Sequence, residues 1–222
     1  MEKYKELFAF DKNQRKTIIG TDEAGRGSGV GAVFAAAVCF PHKNKELIEK
    51  LIYLNDSKKV SKKHREELYK IIKSETVNSV VWADVEEIER VNILNASLGA
   101  MKRAVEDVRS RIDEDDEIDF VDGNKLIPQL KIPQKFLIKG DGTSASIAGA
   151  SILAKVERDH YMMKLAEECP QYGWDNNMGY LTKEHLLAID KFGVSPYHRM
   201  SYLKKHFAKQ EQLNLFSLHK KK

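Results

Sequence analysis

Apolar positions in the first forty residues follow strand spacing around a glycine-rich turn. Thr17-Ile18-Ile19-Gly20-Thr21 is one short apolar run. A longer one, Val30 to Phe40, is rich in β-branched and aromatic residues. Residues 17–22 and 29–40 are expected to pair as strands about the turn, with residues 79–85 as a third. Between them Ser61 is placed to N-cap a helix reaching residue 74, its buried stripe formed by Leu68, Tyr69 and Ile72. Leu98, Met101, Val105, Val108 and Ile112 recur at helical spacing and mark a second helix. Two short strands follow, Asp119–Gly123 and Lys135–Asp141, each running out into Asp and Gly. Residues 145–168 read as a long helix whose first half carries Ala145, Ala148, Gly149, Ala150 and Ala154, a face for close packing on a sheet. No internal repeat is present, and from residue 204 the chain turns polar and basic.

Composition narrows this only slightly. A chain of 222 residues can bury one sizeable core. Charged residues at 32% and hydrophobic ones at 42% are ordinary for a soluble globular protein. A net charge of +4 permits a polyanionic partner without requiring one. Cys39 and Cys169 lie far apart and suggest reduced thiols in a cytoplasmic protein, with neither a disulfide framework nor a zinc site. The seven histidines show no metal-ligand spacing. No signal peptide opens the chain, and no apolar run approaches the roughly 20 residues needed to span a bilayer. A monomer without a membrane partner is expected.

Candidate chemistry concentrates at the first turn. Asp22 and Glu23 close an apolar run and lead into Gly25-Arg26-Gly27. Carboxylates are hard oxygen ligands suited to Mg²⁺ or Mn²⁺ ions that keep some of their waters. Glycines lack the Cβ that would hold an anion or a sugar away from backbone N–H groups, and Arg26 adds a planar cation. A lone Asp-Glu pair is usually solvated surface, so its weight comes from this setting. Gly27-Ser28-Gly29-Val30-Gly31-Ala32 also fits a dinucleotide fingerprint. That reading fails because a strand follows where a helix is required, and two acids beside the turn would repel a pyrophosphate.

Asp122 and Asp141 stand where later apolar segments run out into glycine, and ligands of open α/β sheets gather at such edges. Singly each resembles an ordinary turn residue. With Asp22 and Glu23 they make four carboxylates from three strand ends. Such a group, if it converges, is strongly destabilising without cations. Two ions about 3.5–4 Å apart would stabilise both the attacking and the leaving oxygen at a phosphate. The acidic run at residues 113–117 reads instead as a solvated loop. Lys58, Lys59, Lys62, Lys63 and Arg65 are expected to meet phosphates.

Six segments then occur in an order that resembles bacterial ribonuclease HII, a type 2 ribonuclease H. They are Gly20–Gly27, Asp56–Ser61, Asn92–Leu98, Val121–Asn124, Lys139–Asp141 with Ala150–Lys155, and Gly179-Tyr180 before Thr182–His185. The resemblance implies an α/β, ribonuclease H-like fold over residues 1–203: a mixed five-stranded sheet flanked by helices, with a C-terminal helical extension. It implies that Asp22, Glu23, Asp122 and Asp141 are catalytic and hold two divalent ions. Gly25, Arg26 and Gly27 would contact a ribose 2′-OH, Tyr180 would stack on the sugar, and Ser57 and Lys58 would meet phosphates. The implied activity is endonucleolytic: cutting the RNA strand of RNA–DNA hybrids and nicking duplex DNA 5′ of embedded ribonucleotides. The products carry 5′-phosphate and 3′-hydroxyl ends, and the biological role is removal of ribonucleotides from DNA. Asp159, deep in the long helix, is left out of the metal set. Asn177-Met178 replace a usual His-Lys and Leu181 a common glycine, so weaker strand binding or an altered junction preference is expected.

Residues 204–222 are expected to form a basic, flexible tail. Within it Gln212-Leu213-Asn214-Leu215-Phe216 resembles the short peptide by which many bacterial repair proteins hold the sliding clamp. Leu213, Leu215 and Phe216 would fill an apolar groove while Gln212 makes polar contacts; the competing reading packs them back on the domain. Two other functions suit the same fold, a non-catalytic hybrid-binding module and a two-metal nuclease of different substrate. The four retained acids argue against the first. The Gly-Arg-Gly turn and Tyr180 argue against the second.

Overall fold

Strand β1 (Ile18–Ala24) is the centre of the molecule. In a computed structural model, which describes residues 2–41, 44–113 and 115–219 with side chains as far as Gln212, it pairs antiparallel with β2 (Val33–Cys39) and parallel with β4 (Ile118–Asp122). β3 (Val77–Ala83) adds to β2 and β5 (Gln134–Leu137) to β4. The result is the expected mixed five-stranded sheet, in the order β3-β2-β1-β4-β5.

Strand alternation sends successive side chains to opposite faces, so the sheet carries two apolar cores. Ala36 and Val38 meet Ala145, Ala148 and Ile152 of the long helix α6 (Ala145–Glu168), together with α1 (Lys3–Asn13), α2 (Lys45–Lys50) and α3 (Lys62–Glu75). Val33, Ala35 and Ala37 meet Ala100, Met101 and Ala104 of α5 (Ile93–Arg109), with α4 (Val85–Val91) beside it. Small residues let α6 lie almost on the backbone of β1. A Cβ added to Gly20 would come within 2.1 Å of the Ser146 carbonyl carbon, so any side chain there forces the layers apart.

Several local expectations hold. Ser61 caps α3 by accepting the N–H of His64, and Leu68 and Ile72 are its buried residues. Other boundaries shift for identifiable reasons. β3 ends at Ala83 because Asp84 accepts the N–H of Glu87 and starts α4. β5 stops at Leu137; Lys139 turns left-handed (φ 56°) and residues 140–142 form a tight 3₁₀ turn. Asp141 therefore comes from that turn, not from a strand end. Helix α1 was not foreseen: only Tyr4, Leu7 and Asp11 are buried, too sparse a pattern to read. The Asp11 carboxylate accepts the Ser146 N–H at 2.8 Å and ties α1 to the start of α6.

A third cluster, built on Trp174, Met162, Leu165 and Ile189, holds the C-terminal extension of α7 (Trp174–Asn177), α8 (Lys183–Phe192) and α9 (Met200–His219). The boundary drawn at residue 204 falls inside α9, where Leu203 is buried and Phe207 packs on the third cluster. Among the described residues, no helix is long and apolar enough to cross a membrane.

Candidate active site

Where β1 ends, its last carboxylates are caught between the sheet and α6. Asp22 is buried, and its Oδ1 accepts the N–H of Glu23 at 2.7 Å. Ser151 of α6 also bonds the Asp22 carboxylate, and its hydroxyl lies 2.9 Å from that of Ser57. Asp122 closes β4 and accepts the N–H of Gly140 at 2.7 Å. That bond folds the 3₁₀ turn back, setting Asp141 beside Asp122. Asp22, Glu23, Asp122, Gly25, Ser57, Lys58 and Tyr180 line one cavity of about 370 Å³, together with Ser151, Lys155 and Arg158.

The electrostatics of this corner are strained. Burial, with Glu23 and Asp122 nearby, holds the Asp22 carboxyl well above its usual range. Glu23 is also raised by burial, against the pull of Arg26, whose Nη1 lies 3.0 Å from Glu23 Oε1. Asp122 is raised by burial, with the Gly140 and Asp141 amides and Lys58 opposing. Asp141 is pushed up to about 6 by burial and by the Asp56 and Asp122 carboxylates. Asp56 hydrogen-bonds Asp141 and belongs to this acidic corner; the Asp56–Ser61 segment held the signal for it. Among the described residues, no three acidic, histidine or cysteine side chains already form a cluster able to hold a metal ion. The donor set is all hard oxygen. It fits a hard divalent ion that completes its shell with waters and substrate oxygens.

The glycine turn is built differently. Gly25 has φ +99°, and a Cβ there would meet Arg158 Nε at 2.4 Å, so only glycine fits. Arg199, fully buried, donates through Nη1 to the carbonyls of Gly25 (2.9 Å), Arg26 (3.3 Å) and Ser28 (2.7 Å) and through Nε to that of Gly31 (2.9 Å). Arg158, also buried, donates to the Met178 carbonyl at 2.7 Å and lies 5.9 Å from the Tyr180 ring. Tyr180 itself is half exposed, and a Cβ on Gly27 would touch its ring at 3.5 Å. Thus the turn and Tyr180, far apart in sequence, share one surface. Sequence reasoning missed Arg158 and Arg199, because nothing local distinguishes a buried arginine from a surface one.

The remaining candidates divide. Lys58 reaches the cavity and opposes the raised acids, but the Ser57 hydroxyl is buried against Ser151 and faces the Asp22 support. Asp159 pairs at 2.7 Å with Lys155, which itself lines the cavity. Asn177, one of the departures, helps shape the Tyr180 loop by accepting the Gly179 N–H. Gln212 is exposed, while the side chains of Leu213, Leu215 and Phe216 lie outside the described residues.

In sequence and in fold the chain is similar to known proteins. The family model for ribonuclease HII matches residues 19–209. The ribonuclease HII of Christiangramia forsetii is 47% identical over 191 residues, covering 86% of this chain and 92% of that protein. Among solved structures, the PCNA:RNase HII complex from Archaeoglobus fulgidus superposes with a TM-score of 0.66 at 24% identity, covering 83% of this chain and 94% of that one. Bst-RNase HIII in complex with Mn²⁺ gives 0.64 at 17% identity, covering 80% and 63%.

Proposed function

The chain belongs to the ribonuclease HII family and is an endoribonuclease of RNA–DNA hybrids; from that premise we propose that it also nicks duplex DNA 5′ of single embedded ribonucleotides, in ribonucleotide removal. The observation carrying this is the shared cavity: three of the acids, the Gly25 end of the glycine turn and Tyr180 all line it. A protein tells RNA from DNA at one position by the 2′-OH. Backbone N–H groups of the Gly25-Arg26-Gly27 turn read that hydroxyl, and the Tyr180 ring stacks on the same sugar.

The nucleophile must be water. A ribonucleotide's own 2′-OH neighbours its 3′ phosphate and cannot reach the bond on its 5′ side. Asp22, Glu23, Asp122 and Asp141 would hold two divalent ions, Mg²⁺ or Mn²⁺; the Mn²⁺ complex of the RNase HIII relative supports this choice. Bound there, the ions would supply an activated water and would neutralise charge on the departing 3′ oxygen. Lys58 meets the strand's phosphates, and the Ser57–Ser151 pair keeps the Asp22 carboxylate aimed into the cavity. Products carry 5′-phosphate and 3′-hydroxyl ends. The enzyme works as a cytoplasmic monomer.

The clamp reading belongs here too. The Archaeoglobus relative was solved bound to PCNA, and Gln212–Phe216 is the candidate peptide on this chain. A chain ending at Lys209 keeps full activity on oligonucleotides and loses affinity for its own organism's clamp; unaltered clamp binding rejects the peptide. The central test is metal-dependent nicking of duplex DNA carrying one ribonucleotide, with all-DNA duplex as control. One nick 5′ of the ribonucleotide is expected. Cleavage of the all-DNA control at a similar rate, or none on either, overturns the reading.

A further inference from the structure

We propose that His185 is a positioning residue for ribose discrimination, fixing through its Nδ1–H the Tyr180 carbonyl and with it the ring that meets the sugar. This rests on the assignment of Tyr180 to the sugar made above.

The proton positions follow from counting donors. Trp174 Nε1 can only donate, and it lies 3.0 Å from His185 Nε2, which is therefore the acceptor. A neutral His185 then carries its proton on Nδ1, 2.9 Å from the Tyr180 carbonyl oxygen, which can only accept. The second ring obeys the same logic. His198 Nδ1 accepts the Ser195 N–H at 2.8 Å, so its proton sits on Nε2, 3.1 Å from His185 Nε2, whose one lone pair it shares with the Trp174 N–H. The pair forms a one-way chain that ends on Tyr180.

Burial keeps this chain neutral. His185 and Trp174 are fully buried and His198 nearly so. Loss of hydration pushes both imidazoles down, His198 to about 4. Tyr180 has few other restraints. Its N–H donates to Asn177 at 2.9 Å, and its carbonyl also accepts the Thr182 N–H at 2.8 Å, but its ring is half exposed. The second histidine leads directly to the other half of the site, since Arg199 follows it and holds the glycine turn. Gly29 also donates its N–H to the Gly179 carbonyl at 3.0 Å. His185 thus sets the height of the Tyr180 ring over a turn braced from the same loop.

A pair of substitutions separates this role from mere core filling. In His185→Asn the amide nitrogen takes the place of Nδ1 and keeps the bond to Tyr180. In His185→Gln it takes the place of Nε2 and leaves the carbonyl short of a donor. On duplex DNA with one ribonucleotide, measured well below the melting temperature, His185→Gln should lower kcat roughly tenfold with KM within about twofold, since a stack formed late acts on kcat. His185→Asn should stay within about threefold of the parent. Equal kcat in the two variants overturns the proposal. Tyr180→Ala runs alongside: a parent rate there rejects the role of Tyr180 itself, whereas a slow Tyr180→Ala beside a fast His185→Gln rejects only the histidine. One measurement needs no variant. Nitrogen-15 spectra of the parent should show His185 protonated on Nδ1 and His198 on Nε2; the reverse tautomers overturn the proposal even if the variants fail to fold.

Discussion

The two halves of the cavity are stabilised in opposite ways. In the sugar-reading half, the donors that shape the turn and the Tyr180 loop come from buried side chains: Arg199 holds four carbonyls, Arg158 one and His185 another. In the acidic half, burial raises the proton affinity of Asp22, Glu23, Asp122 and Asp141, neighbouring carboxylates add to it at Asp22, Glu23 and Asp141, and Arg26, Lys58 and backbone amides give partial relief. The difference teaches what each half is for. Geometry that must discriminate a hydroxyl is pre-paid by folding, while charge that must meet an ion is left uncompensated until the ion arrives.

Breaking the acidic half should separate chemistry from stability most sharply. Asp22→Asn should slow cleavage at saturating Mg²⁺ by about a thousandfold or more, several kcal/mol of transition-state stabilisation. Its melting temperature at pH 8 should match or exceed the parent's, because a strained buried charge is removed while the acceptor oxygen stays. Substantial activity in that variant sinks the metal assignment.

Breaking the braced half should do the reverse. Arg199→Met removes the donor shared by four carbonyls, of which Gly25 keeps the Ser28 N–H and Arg26 the Tyr202 hydroxyl, and should destabilise by about 2–4 kcal/mol, read by chemical denaturation. Activity then falls because the turn loosens. A loss below about 1 kcal/mol would mean that the turn holds itself. Arg26→Ala, a change within that turn, sharpens the contrast. Its guanidinium is half exposed and its pair with Glu23 contributes under about 1 kcal/mol after solvent screening, so stability should barely move while nicking is impaired.

The same division explains what could be read from the chain. Strand runs, the Ser61 cap and the span of α6 follow from local periodicity, and the acids were visible because Asp-Glu and Asp-Gly end apolar runs. Arg158, Arg199, His185 and His198 act through contacts with residues far away in sequence, and no local pattern marks a polar residue that will be buried. Asp141 was found for an imperfect reason. It lies beyond the strand, on a turn that exists because Asp122 captures the Gly140 amide. Helix α1 escaped because three buried positions in eleven residues make too weak a stripe.

The most direct test is the melting temperature of the parent and of Asp22→Asn, with and without millimolar Mn²⁺, at pH 5 and pH 8. Asp141, held near 6 against an ordinary 3.8, binds a proton in the folded state that the unfolded chain has already lost. Its own contribution to metal-free stability should therefore fall as pH rises from about 4 to about 6, against the rise that the buried neutral His185 and His198 give over the same range. Mn²⁺ needs the deprotonated carboxylates, so its stabilisation of the parent should be large at pH 8 and small at pH 5. Asp22→Asn should start at least as high without metal and gain little from it. An equal Mn²⁺ gain in both proteins at pH 8, or a metal-free Asp22→Asn that melts well below the parent, would contradict a strained acidic corner completed by divalent ions.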